Sequence, residues 1–156
     1  MDKEIGWSKV QGLTKNLHDQ VKSAHKKYDW VVSINSGGLV PGVMLAKSLK
    51  AKHAVISINN YKEGKKNPQP ERDLYLSHIG FIRQHHHILV VDNVIRTGDS
   101  ILAAMESLKK VDPDAKHMDT ATLHLNVGSK LRPTYFAEEI EIEEWIDYPW
   151  ETLEKH

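Results

Sequence analysis

The feature that most constrains this chain is the run Ile88-Leu89-Val90-Val91, an uninterrupted apolar stretch that ends at Asp92 and leads through Thr97-Gly98-Asp99-Ser100. A continuous apolar run bounded by turn residues fits a central parallel strand covered on both faces. Ile101, Ala104, Met105 and Leu108 then recur at helical spacing, which predicts a helix from about Asp99 to Lys110. In open parallel sheets, ligands sit beyond the carboxyl ends of the strands. Asp92 is therefore placed where a side chain reaches a ligand. Gly98 suits a positive φ and lets the backbone approach closely. The N–H groups that open the helix, with its dipole behind them, favour an anion such as a phosphate. Thr97 and Ser100 add hydroxyl donors. Taken alone, the same Thr-Gly turn also reads as an ordinary strand-to-helix connection capped by Asp99 or Ser100.

The rest of the chain repeats the strand–helix alternation. Val10, Leu13, Leu17, Val21 and Ala24 predict an amphipathic helix from about Ser8 to Lys26. Trp30 to Ile34 reads as a buried strand, and Asn35 to Gly42 as a turn-rich loop. Pro41 suits the first turn of a helix that continues to Leu49. Ala54–Ile58, Ala121–Leu125 and Tyr135–Ala137 read as further strands. The polar, basic stretch from Asn59 to Arg72 has no periodicity, so the expectation there is a long functional loop, with Leu74-Tyr75-Leu76 as a short extended return. Alternating strands and helices argue for an α/β fold with a mostly parallel central sheet flanked by helices.

Composition narrows the function classes. Lys+Arg and Asp+Glu balance at 21 each, which argues against nucleic acid as the partner. Cysteine is absent, which excludes disulfides and thiolate zinc sites. No apolar run approaches the roughly 20 residues that span a bilayer, and the polar N-terminus lacks a signal-peptide core. A cytoplasmic protein with no membrane partner is the expectation.

The string from Val90 to Ser100 resembles the 5-phosphoribosyl-1-pyrophosphate (PRPP) motif of type I phosphoribosyltransferases. Ile34 to Gly42 looks like the pyrophosphate loop of their xanthine-guanine branch, and adjacent glycines after a strand suit an anion. Arg72 falls where that branch has a PRPP-contacting arginine. Trp145-Ile146 and the following Pro149-Trp150 resemble its base-covering segment, an aromatic beside an aliphatic being a good slot for a planar heterocycle. The resemblance implies a single phosphoribosyltransferase-like domain over residues 1–156, with 59–77 as a mobile loop and 138–156 as a small C-terminal hood. It implies transfer of phosphoribose from PRPP to a nitrogenous base, a purine by this branch, with release of pyrophosphate. Magnesium would be the cofactor and a homodimer or homotetramer the assembly. The alternative is a sensor of the same fold that binds PRPP or a nucleotide without transferring anything.

By the resemblance, Asp92 and Asn93 hold the ribose and the metal and serve catalysis. Ser36, Gly37, Gly38, Arg72, Thr97, Gly98, Asp99 and Ser100 complete the PRPP site, and Arg96, Trp145 and Ile146 face the base. Four positions depart from the branch. Asn93 stands where a second acid is usual, and Ser36 where an arginine is usual. Arg96 replaces an aspartate that acts on the purine N7, and Asn126 replaces a lysine that reads the 6-oxo group, with Lys130 nearby. A guanidinium stays protonated, so Arg96 cannot act as the acid–base group that the aspartate provides. It can pair with a carboxylate or phosphate instead.

Four further features carry no function in this reading. His85-His86-His87 points to alternate faces, which seldom chelate together. Lys62 to Lys66 lacks the spacing of a P-loop. The acidic run Glu138–Glu144 reads as a solvated edge, and Trp150 as a hydrophobic anchor.

Overall fold

The computed structural model describes residues 2–62, 65–75, 87–113 and 117–155. In chain order the elements are β1 (Asp2–Glu4), α1 (Trp7–Ser23), β2 (Trp30–Asn35), α2 (Leu39–Ser48), β3 (Lys52–Lys62) and β4 (Lys65–Tyr75). β5 (His87–Ile95), α3 (Asp99–Val111), β6 (His117–Asn126), β7 (Tyr135–Ile140), β8 (Trp145–Asp147) and a 3-10 helix (Pro149–Lys155) follow. Six strands form one sheet in the order β4-β3-β2-β5-β6-β7. All of its pairings are parallel except β3 with β4. β1 pairs separately with β8, so the start of the chain supports its end.

Side chains of the central strands alternate between two cores, because successive Cβ atoms leave a strand on opposite faces. Val31, Leu89 and Val91 pack with Leu13, Leu17 and Val21 of α1 and Leu45 of α2. Val32, Ile88 and Val90 pack with Ile101, Ala104 and Leu108 of α3. Helices α1 and α2 thus cover one face and α3 the other. The chain leaves β2 for one face and leaves β5 for the opposite face. Those two strands are neighbours, so the sheet has its switch point between them, where a crevice opens at the carboxyl ends.

Most expected elements are present with shifted ends. The stretch from Asn59 to Arg72 is the main correction: its described residues form an antiparallel ribbon, Asn59 pairing with Glu71 and Ile58 with Arg72, with a register shift between Asn59 and Tyr61. Cross-strand backbone hydrogen bonds make extended structure there despite the missing side-chain alternation. Leu74 and Tyr75 pair with Ile56 and Val55, as the extended return required, while Leu76, His85 and His86 lie outside the described residues. β5 runs beyond Val91 to Ile95, so Asp92 lies inside the strand rather than at its tip. Its pairing with β2 stops at Ser33–Val91, whereas pairing with β6 continues through Asp92–Thr122 to Ile95–Leu125. The loss of one neighbour is what lets the otherwise buried Asp92 line the crevice. The acidic run begins in edge strand β7, yet Glu138 is drawn into an ion pair with Lys9 and lies beside the His124 ring.

Candidate active site

A cleft of about 490 Å³ opens at the switch point. Gly37 lines it from the loop after β2, the continuous segment Asp92–Ile101 forms its floor, and Trp145 and Glu151 form the far wall. Three separate stretches of chain are brought together here: the glycine loop, the strand–turn–helix and the C-terminal segment.

The floor follows from local chemistry. Gly98 has φ of +97°, a backbone state that glycine adopts at little cost. A Cβ there would also lie 2.5 Å from Leu131 Cβ. The Thr97 hydroxyl oxygen accepts the Asp99 N–H at 3.2 Å, and the Leu102 N–H bonds back to Gly98 O at 3.0 Å. The N-cap residue is Gly98 itself, which brings no side chain to the helix end. The turn therefore presents the N-terminal dipole of α3 to the cleft, a suitable seat for a phosphate.

The glycine loop touches the floor directly. A Cβ on Gly37 would collide with the Asn93 side-chain amide, and one on Gly38 with Val91 O. Only glycine at both positions lets this loop lie against β5. The peptide between Asn35 and Ser36 is cis, and Ser36 is exposed on the loop. Arg72 takes its place in β4 opposite Ile58, and nothing further is described of its side chain.

Asp92 is 9% exposed and accepts the Asn93 N–H on Oδ1 at 2.8 Å. Burial pushes its carboxyl up from 3.8 to about 7, against a smaller lowering by that N–H. A buried carboxylate with no cation beside it among the described residues is an electrostatic deficit. Asn93, 8% exposed, contributes an amide whose Oδ1 accepts the Val94 N–H at 2.9 Å. This pair of oxygen-bearing side chains fits magnesium, which prefers oxygen, uses one or two protein groups and completes its shell with water and phosphate oxygens. Among the described residues no three His, Cys, Asp or Glu side chains group as a metal cage, in line with so sparse a donor set.

A buried chain of polar groups, absent from the sequence reading, supports the floor. The Tyr148 hydroxyl donates to Asn93 O at 3.1 Å and lies 2.7 Å from His124 Nδ1. His124 Nε2 lies 3.3 Å from Glu138 Oε2, and Lys9 pairs with the same carboxylate at 3.2 Å. Burial lowers the pKa of His124, with the Glu138 charge opposing that shift. Tyr148 also stacks on Trp150 at 4.8 Å, so Trp150 is the anchor expected of it.

The base-facing residues are divided by the structure. The Arg96 guanidinium lies 4.3 Å from the Trp145 ring centroid and donates from Nη1 to Glu144 O at 3.0 Å. Both residues line the cleft. Ile146 does not: the alternation of β8 turns it inward, where it is 3% exposed and packs in the core with Ile5 and Tyr148. The Asn126 amide donates to Glu141 O and Ile142 O and accepts the Gly128 N–H, so it ties down the turn and faces away from the cleft. Lys130 is exposed beyond β6 and does not line the cleft. Val94, Ile95, Ile101 and Glu151 are additions, the last accepting the Tyr148 N–H at 3.0 Å. Val94 lay within the recognised string, whereas Glu151 reaches the cleft only through the turn of the final helix.

Residues 2–153 match the family model described as the phosphoribosyl transferase domain. A xanthine-guanine phosphoribosyltransferase of Vibrio atlanticus (strain LGP32) is 29% identical over 155 residues, covering 95% of this chain and 88% of that protein. The xanthine-guanine-hypoxanthine phosphoribosyltransferase of Helicobacter pylori superposes with a TM-score of 0.82 at 22% identity, covering all of both chains. A purine phosphoribosyltransferase from Pyrococcus horikoshii superposes with a TM-score of 0.81 at 24% identity, covering 96% of this chain and 93% of that one.

Proposed function

Because the chain belongs to the phosphoribosyl transferase family, we propose that it moves phosphoribose from PRPP to a purine base and releases pyrophosphate. The observation that carries this reading is the convergence of Gly37, the Asp92–Ser100 segment and Trp145 on one cleft. In the reaction a ring nitrogen of the base forms a bond to C1′ of the ribose. The C1′–oxygen bond to pyrophosphate breaks, pyrophosphate keeps the electron pair, and the displaced ring proton passes to water. The protein positions these partners and stabilises charge.

Thr97, Gly98, Asp99 and Ser100 seat the 5′-phosphate at the start of α3. Asp92 holds the ribose hydroxyls, with the Asn93 amide beside it. Ser36, Gly37, Gly38 and Arg72 serve the pyrophosphate end. Asp92 and Asn93 would hold magnesium, which would supply neutralisation of the pyrophosphate charge. Residues 138–156 act as the hood over the base, with Trp145 offering its face to the ring. The reading extends to a homodimer or homotetramer at work in the cytoplasm. Among the described residues no helix is long and apolar enough to cross a membrane.

A magnesium-dependent assay of pyrophosphate release against a panel of bases tests the proposal. Turnover with a purine is expected, and Asp92→Asn is expected to abolish most of it while the fold persists. PRPP binding without turnover for any base would instead favour the sensor.

A further inference from the structure

Arg96 is a half-buried cation in the cleft with no carboxylate partner among the described residues. Its one hydrogen bond to a described residue uses Nη1, which donates to Glu144 O at 3.0 Å. Its guanidinium carbon lies over the Trp145 ring, 4.3 Å from the centroid. With Nη1 engaged, the parallel Nε–H and Nη2–H pair has no protein acceptor among the described residues. A fixed planar fork of two donors matches a ligand edge that carries two adjacent acceptors. In a 6-oxopurine that edge is N7 and O6, and a guanidinium reads it with two hydrogen bonds.

We infer that Arg96 sets base choice by donating both N–H groups to the N7–O6 edge of a 6-oxopurine, which deepens the transferase reading and rests on it. One side chain then serves the two edge atoms, and Asn126 is released for its structural role in the β6 turn. Two consequences follow from a site that only donates. Adenine presents N6–H donors beside N7, so one bond of the fork is lost and two donors are opposed. The base must also bind with a lone pair on N7, because Arg96 cannot accept an N7 proton.

The purified full chain, assayed with PRPP and magnesium, tests this. Guanine or hypoxanthine is expected to exceed adenine in kcat/KM by roughly 10- to 100-fold, the worth of a charge-assisted hydrogen bond. Arg96→Gln replaces the fork with an amide that pairs with the N6–N7 edge of adenine. It is expected to lower the guanine-to-adenine ratio by about tenfold or more. 9-Deazaguanine carries a fixed N7–H and forms no N-glycosidic bond through its carbon at position 9, so its inhibition constant reports binding alone. It should inhibit Arg96→Asp, whose carboxylate accepts that proton, at least about tenfold more tightly than it inhibits the unaltered protein.

The two proposals fail differently. Calorimetry with PRPP and magnesium that shows no binding, or no transfer to any base, overturns the transferase reading. Transfer with equal use of adenine and guanine, an unchanged ratio in Arg96→Gln, or tighter 9-deazaguanine binding by the unaltered protein overturns the role of Arg96 and leaves transfer intact. Preference for a carboxylated base over every purine also overturns it.

Discussion

Replacing Asp92 by Asn should make the ligand-free protein more stable at neutral and alkaline pH, even as it disables the site. Burial raises the Asp92 carboxyl from 3.8 to about 7. Below the lower value both folded and unfolded chains hold the proton, and the carboxyl imposes no charge penalty. As pH rises from about 4 to about 7, the unfolded chain releases its proton while the folded chain keeps it, so stability falls. Above about 7 the loss is complete. The gap of about 3 pKa units at about 1.4 kcal/mol each sets an upper bound of about 4 kcal/mol. Asparagine is uncharged and retains an oxygen that can accept the Asn93 N–H, now bonded at 2.8 Å. We predict that urea unfolding at pH 8, without PRPP or metal, finds Asp92→Asn more stable by about 2–4 kcal/mol, with the difference nearly gone at pH 4. Titrations at other sites occur in both proteins and cancel in the comparison. A variant less stable at pH 8, or a difference that does not change with pH, would refute the argument that this carboxylate is held buried without compensation. Saturating PRPP with magnesium should then reverse the ranking, because a carboxylate gains more from the cation than an uncharged amide does.

Two more substitutions test the support of the cleft. Tyr148→Phe removes the hydroxyl shared by Asn93 O and His124 Nδ1; leaving these buried groups short of a partner should cost about 1–3 kcal/mol in chemical denaturation and raise KM for PRPP more than it lowers kcat, whereas unchanged stability would mean that the contact carries no weight. Gly98→Ala places a Cβ at φ of +97° and 2.5 Å from Leu131 Cβ, so a loss of at least about 1–2 kcal/mol and weaker PRPP binding by calorimetry are expected, and full PRPP affinity would argue against a phosphate seat at this turn.

Much of the architecture was legible because it rests on local pattern. The apolar run Ile88–Val91, the helical spacing of Ile101, Ala104 and Leu108, and the Thr97-Gly98 turn announce a buried strand feeding a helix, and β5 and α3 are that unit. The β3–β4 ribbon was not legible. Its polar side chains follow no period-2 alternation, while backbone pairing needs none. Ile146 misled for the opposite reason: its neighbour Trp145 does face the cleft, and strand alternation sends the next side chain to the core.

The sequence by itself determined which chemistries are available: one carboxylate and one amide on β5, a glycine that permits a left-handed turn, and a guanidinium where an acid–base group would otherwise stand. Those are properties of residue types and close neighbours, and they survive in any fold that contains the string. Only the tertiary structure decided who meets whom. Gly37 reaches Asn93, Tyr148 reaches the backbone of Asn93, and Trp145 flattens Arg96 because β2 and β5 are neighbours whose helices depart to opposite faces and because β1 holds β8 in place. Such contacts join residues far apart in the chain, and their geometry comes from sheet order and packing rather than from any local pattern.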